Sequence, residues 1–155
     1  MLHSGYEKWK YAQRVDIWLE ESIKTWRPLR ERAALQGVKL AIENIFEDEP
    51  SNLRRLMEEL HSESFGICFD TGHCNLFTKV PLQDWLDTLG GYIFELHVHD
   101  NDGTFDSHLP IGDGTFDFGT LFDNLRGKEF IYTVEAHTPE RVLKSMERLK
   151  RHLGR

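Results

Sequence analysis

Four short apolar runs stand out along the chain: VKLAIE (38–43), FGICFD (65–70), YIFELH (92–97) and FIYTVE (130–135). They are rich in β-branched and aromatic residues, which reads as buried strands. Between and around them, apolar positions recur at helical spacing. The first helical pattern runs from about Tyr6 to Gln36 and carries Trp9, Ala12, Trp18, Ile23, Trp26 and Ala33. Its tryptophan stripe reads as core packing, Pro28 is expected to kink it, and Gly37 to end it. A second helix opens at EPSNL, with Leu53, Leu56, Met57 and Leu60 on one face. A third spans PLQDWLDTL (81–89), and a fourth, GTLFDNLRG, starts at Gly119. The last begins at Thr138-Pro139, an N-cap followed by a first-turn proline, and should bury Val142, Leu143, Met146, Leu149 and Leu153. Strand–helix alternation predicts an α/β fold with a parallel sheet and right-handed crossovers. With no long linker or break in composition, a single domain over residues 1–155 is expected.

Composition narrows the function classes. The 155 residues suffice for a real core, and the formal net charge is −7, with lysines and arginines scattered along the chain. That argues against tight binding to duplex nucleic acid, which needs a basic footprint. The two cysteines, Cys68 and Cys74, are too few for a disulfide framework. No stretch is long and apolar enough to span a bilayer, and the N-terminus lacks a signal-peptide layout. A cytoplasmic protein with no membrane partner is the expectation.

The chemistry gathers where the strand runs stop. All four finish on a residue able to bind a metal: Glu43, Asp70, His97 and Glu135. In a parallel sheet these ends share one edge, where ligands collect. Three carboxylates brought together without a cation would repel and be poorly solvated. A divalent ion removes that difficulty, and mixed carboxylate–imidazole ligands suit Mn, Zn, Co or Fe, and Mg less well. Further candidates lie just past these ends. His73 follows Asp70 in FDTGH. His3, in LHSG, marks the exit of another strand. Asp106 and His108, two apart in DSHLPIGDG, would face the same way in an extended segment. His99, Asp100 and Asn101 are expected to support the ligands, whereas His61, His137 and His152 carry no expected role.

These motifs together resemble a known family. LAIEN, FDTGH, HVHDNDG, DSHLPIGDGTFDF and TVEAH are similar, in order, to those of the xylose isomerase-like barrel superfamily, which holds sugar and sugar-phosphate isomerases and epimerases together with endonuclease IV. The resemblance runs from residue 1 to the C-terminus. It implies a (β/α)8 barrel with its metal at the C-terminal mouth. Since such barrels take about 250 residues, it also implies that this chain is the C-terminal part of one, with three N-terminal strands missing. Open strand edges follow from that, which a homo-oligomer could cover. In the isomerase and epimerase branch, Glu43, Asp70, His97 and Glu135 match the single-metal ligands and His73 a substrate-contacting histidine. In the endonuclease IV branch, these positions with His3, Asp106 and His108 match most of a three-zinc cluster. Where the best-known epimerases place an arginine before the last of these histidines, this chain has Ser107.

The reading favoured is a metal-dependent isomerase or epimerase of a sugar or sugar phosphate, working by enediolate proton transfer. Glu43 and Glu135 would be the proton-transfer groups, and His73 and His108 would orient hydroxyls. The alternatives are zinc-dependent phosphodiester hydrolysis at abasic DNA, for which nucleic acid would be the partner, and an inactive fragment that keeps a metal site.

Overall fold

The computed structural model describes residues 2–3 and 14–154. Five strands form one parallel sheet in chain order: β1 (Leu2–His3), β2 (Leu40–Glu43), β3 (Phe65–Asp70), β4 (Ile93–Val98) and β5 (Ile131–Val134). Each strand lies beside the next in sequence, so every connection moves one place along the sheet. The described helices are α1 (Val15–Leu35), α2 (Ser51–Glu59), α3 (Thr71–Phe77), α4 (Leu82–Leu89), α5 (Phe118–Asn124) and α6 (Pro139–His152).

The strand period of two sorts the side chains. Ile42, Phe65, Ile67, Phe69, Leu96 and Val98 join one apolar cluster with Trp18, Trp26, Leu53, Leu56, Trp85 and Leu121 from the helices. The alternate positions, among them Glu43, Cys68, Asp70, Glu95 and His97, belong to the other face. A register shift at Ile67/Cys68 adjusts β3 against β4. All core residues expected of α2 are buried, with Leu53, Leu56 and Leu60 excluded from solvent entirely.

In α1, Trp18, Trp26 and Ala33 are buried as the stripe predicts, and the helix continues through Pro28. The expected start at Tyr6, with Trp9 and Ala12, lies outside the described residues. Gly37 follows the helix with φ +65°, and the Gly37 and Val38 amides return to the Ala34 and Ala33 carbonyls, which closes the last turn.

Two expectations change. The segment after Asp70, absent from the expected helices, forms α3: Asp70 caps it, accepting from the His73 amide. In α6 the buried stripe is Ser145 and Leu149, with Val142 and Leu153 half-buried, whereas Leu143 and Met146 are exposed. Successive helical residues turn by about 100°, which sets Leu143 about that far round from Val142 and off the packed stripe, with Met146 at the stripe's margin. No described helix is long and apolar enough to cross a membrane.

Candidate functional site

Glu43 and Asp70 close β2 and β3, His97 stands one residue before the end of β4, and Glu135 follows β5 directly. The Glu135 amide still donates to the Val98 carbonyl at 3.4 Å, which holds it against β4. The parallel register therefore brings together four residues separated by up to 92 positions in sequence. His97 Nδ1 lies 3.0 Å from Glu43 Oε1, 3.1 Å from Glu135 Oε1 and 3.7 Å from Asp70 Oδ2. Glu43, Asp70 and His97 are buried, and Glu135 is half-buried.

The electrostatics follow from that crowding. Burial works against a charged Asp70 carboxylate, but the hydrogen bond and charge of His99, the charge of His73 and the His73 amide outweigh it and hold its pKa below the ordinary value. Burial likewise disfavours protonated His97, yet Glu43, Glu135 and Asp70 raise its pKa. His99 behaves in the same way, with Asp70, Asp106 and Glu135 overcoming burial.

Asn44 fixes the floor. Its side-chain amide donates to the Asp70 carbonyl at 3.1 Å, and its Oδ1 accepts from the Asp70 amide at 2.9 Å, tying β2 to β3 where both carry site carboxylates. His73 extends back from α3, with Nδ1 3.0 Å from the Asn44 carbonyl and 3.6 Å from Glu43 Oε1. Its Nε2 lies 3.4 Å from Asp106 Oδ2, which is also 3.2 Å from His108 Nε2. Phe46 and Phe77 pack edge to face at 5.3 Å beside His73, an apolar wall next to the carboxylates.

Asp106 and His108 do approach each other, but the segment is not extended as expected. His108 has φ +45°, a left-handed conformation unfavourable for a side-chain-bearing residue. Arg141 of α6 donates to the Ser107 and His108 carbonyls, and Leu109 bridges to Asp100, so the surroundings hold the turn. The His108 ring stacks on His99 at 4.1 Å and on His137 at 4.7 Å. His137 thus adjoins His108 at the edge of the site.

The expected support residues divide. His99 contacts Asp70, and Asn101 donates to the Gly72 carbonyl at 2.8 Å. Asp100 instead turns away and accepts from the Asn101, Gly112, Gly114 and Phe116 amides. It shapes the 100–116 loop and meets none of the four clustered residues. His3 closes β1 beside Glu43 in the register; its side chain lies outside the described part.

Glu95 is a site neighbour that the sequence reading passed over. It lies 3.5 Å from His97 Nε2 and accepts from the Thr133 hydroxyl at 2.6 Å. Its spacing of two from His97 on a strand was the available signal. Cys68 and Cys74 are buried free thiols. Burial and then the Glu95 charge push the Cys68 pKa up, and burial and then Asp70 push that of Cys74 up to about 12, so both stay protonated as core residues.

The donor set fits a divalent cation. One imidazole nitrogen can donate at most one proton, yet three carboxylate oxygens crowd around His97 Nδ1. Ligand atoms of Glu43, His97 and Glu135, and those of Glu43, Asp70 and His73, lie within 4.8 Å of one another. Their mixed oxygen and nitrogen character suits zinc, manganese or cobalt.

Known proteins share this arrangement of chain. The family model described as xylose isomerase-like TIM barrel matches residues 1–152. An uncharacterised protein of Methanocaldococcus jannaschii is 28% identical over 162 residues, covering 99% of this chain and 55% of that protein. The chain spans about half the length of the curated relatives it matches. Among solved structures, a D-tagatose 3-epimerase-like protein superposes with a TM-score of 0.83 at 29% identity, over 99% of this chain and 61% of its own. A protein from Thermus thermophilus, soaked with zinc chloride, gives 0.70 at 28% identity, over 99% and 58%.

Proposed function

The chain belongs to the xylose isomerase-like TIM barrel family, and on that premise we propose that it is a divalent-cation-dependent isomerase or epimerase of a sugar or sugar phosphate. The observation that carries this reading is the approach of Glu43, Glu135 and Asp70 oxygens to within 3.0, 3.1 and 3.7 Å of one His97 nitrogen. The likeness to an epimerase-like protein and to a zinc-soaked relative supports it.

Glu43, Asp70, His97 and Glu135 would hold the cation, with Mn, Zn, Co or Mg as candidates. When bound, such an ion polarises a carbonyl and acidifies the neighbouring C–H. Glu43 and Glu135 come from β2 and from the end of β5, with two strands between them, so they reach the centre from different sides. One removes the proton as general base and the other returns it. Using both inverts a stereocentre, whereas one carboxylate that carries the proton between adjacent carbons isomerises. His73 and His108, both half-buried, offer ring nitrogens that orient substrate hydroxyls. The two unpaired thiols suit a reducing cytoplasm, and a second copy of the chain would cover the β1 or β5 edge of the sheet.

The test is exchange of the proton beside the carbonyl. The 155-residue chain with Mn²⁺ or Zn²⁺ is expected to incorporate deuterium from D2O into a member of a panel of ketohexoses and their phosphates. Glu135→Gln is expected to slow that exchange by roughly 10²- to 10⁴-fold. Exchange unchanged in the variant rejects the role of Glu135, and no exchange with any panel sugar rejects the reaction.

A second reading keeps one specific observation in its favour. Ligand atoms of His99, Asp106 and His108 lie within 4.8 Å of one another beside the first set, and Asp106 Oδ2 is 3.4 Å from His73 Nε2 and 3.2 Å from His108 Nε2. Two or three zinc ions per chain and cleavage of abasic duplex DNA would support endonuclease IV-like hydrolysis, against which the net charge of −7 weighs. Cation binding without turnover in either assay would support an inactive metal-binding fragment.

A further inference from the structure

We infer that His99 is the positioning residue that sets the Asp70 carboxylate for the cation, and that residue 72 is glycine in order to seat the His99 ring. The inference rests on the cation reading above and deepens it.

The Asp70 carboxylate has two differently employed oxygens. Oδ1 accepts from the His73 amide at 2.7 Å and lies 3.0 Å from His99 Nε2. Oδ2 lies 3.1 Å from the same His99 nitrogen and 3.7 Å from His97 Nδ1, on the side of the clustered ligands. The His99 nitrogen thus sits astride the carboxylate, and together with the His73 amide it fixes which oxygen faces His97. A carboxylate on an unrestrained rotor would have to be ordered at the moment the ion binds. Partners behind metal ligands remove that cost, and losing them weakens binding by about 10- to 100-fold.

His99 itself is held by its backbone and by the packing of its ring, while its buried Nδ1 makes no hydrogen bond. It is excluded from solvent. Thr71 clamps its backbone, the hydroxyl donating to the His99 carbonyl at 2.6 Å and accepting from the His99 amide at 3.1 Å. Its ring stacks on His108 with an interplanar angle of 19° and meets His73 edge-on at 6.0 Å. Gly72 closes the remaining side. A Cβ at that position would fall 2.0 Å from His99 Cε1 and 2.4 Å from Nδ1, so any side chain there displaces the ring. His99 reaches Glu135 only at 3.9 Å and has no close contact with Glu43, so Asp70 is the member of the cluster it governs. The DTGH and HVHD segments are thereby one device: α3 supplies the glycine seat and the His73 amide, and the end of β4 supplies the imidazole.

The test is isothermal titration of the 155-residue chain with Mn²⁺, repeated with Zn²⁺. In His99→Gln the terminal amide occupies the Nε2 place and still donates to Asp70. In His99→Asn it occupies the Nδ1 place and does not. The expected result is affinity within about threefold of wild type for His99→Gln, with losses of roughly 10- to 100-fold for His99→Asn and for Gly72→Ala. Gly72→Ala keeps His99 and supplies an independent arm if an amide variant does not fold. Wild-type affinity in both His99→Asn and Gly72→Ala overturns the inference while leaving the cation site standing. Equal loss in the two amide variants also overturns it, since a donor at the Nε2 place would then not be what counts. Failure of the wild-type chain to bind either ion overturns both this inference and the reading it rests on.

Discussion

Among single residues, Asp100 shows how one buried side chain can organise a loop without chemistry. Its two oxygens accept from the amides of Asn101, Gly112, Gly114 and Phe116, at 2.9, 3.0, 2.9 and 3.1 Å. Truncation leaves the amides of buried Asn101 and Phe116 unpaired, at about 1–3 kcal/mol each, whereas those of exposed Gly112 and half-buried Gly114 can turn to water. Asp100→Ala is therefore expected to lower stability by about 3–5 kcal/mol in urea unfolding, and a loss below about 1 kcal/mol would contradict the account. From sequence, Asp100 and His99 had the same standing, as adjacent polar residues past a strand end. Nothing in their order says that His99 turns toward Asp70 and Asp100 toward the loop, because that choice is made by Gly112 and Gly114, more than ten residues on. Glu95, by contrast, could have been found, since it alternates with His97 on one strand.

For elements, the strands were legible because their apolar faces are: all four expected runs form strands, FGICFD with its expected ends and the others with ends shifted by at most two residues. Helix α3 was not. Its seven residues, TGHCNLF, include a glycine and an asparagine, both poor helix formers. What starts it is the Asp70 side chain on the His73 amide, a bond made by a residue read as a ligand. Misreading the stripe of α6 has a different cause, since burial on the sheet's last helix depends on neighbours that helical spacing alone does not specify. Caps also carry pH dependence. Asp117 begins α5 by accepting from the Thr120 amide at 2.9 Å and hydroxyl at 2.6 Å, and these bonds, the hydroxyl first, hold its carboxyl below the ordinary range. A lowered carboxyl pKa stabilises the fold above the unfolded value near 3.8 and loses that contribution as pH falls through the folded value. Asp117→Ala is expected to cost about 1 kcal/mol at neutral pH, and the gap from wild type should narrow in unfolding curves taken below about pH 4. A gap that stays constant into strong acid would remove Asp117 as the source.

On the scale of the whole molecule, the site exists because a parallel sheet aligns the ends of its strands. Residues 43, 70, 97 and 135 become neighbours through successive registers, each placing one strand beside the next. Alternation of strands and helices makes that convergence legible in the sequence, since all crossovers must deliver their strands in the same direction. The Asp106–His108 turn was not readable: its left-handed His108 is held by Arg141, from a helix more than thirty positions away. The central claim is that buried carboxylates and one imidazole are assembled for a cation. Equilibrium dialysis of the wild-type chain against Mn²⁺ or Zn²⁺, followed by metal analysis, tests it most directly. The account predicts at least one tightly held ion per chain and its loss in the double variant Glu43→Gln/Asp70→Asn; a wild-type chain that emerges metal-free, or a double variant that retains its ion, would contradict it.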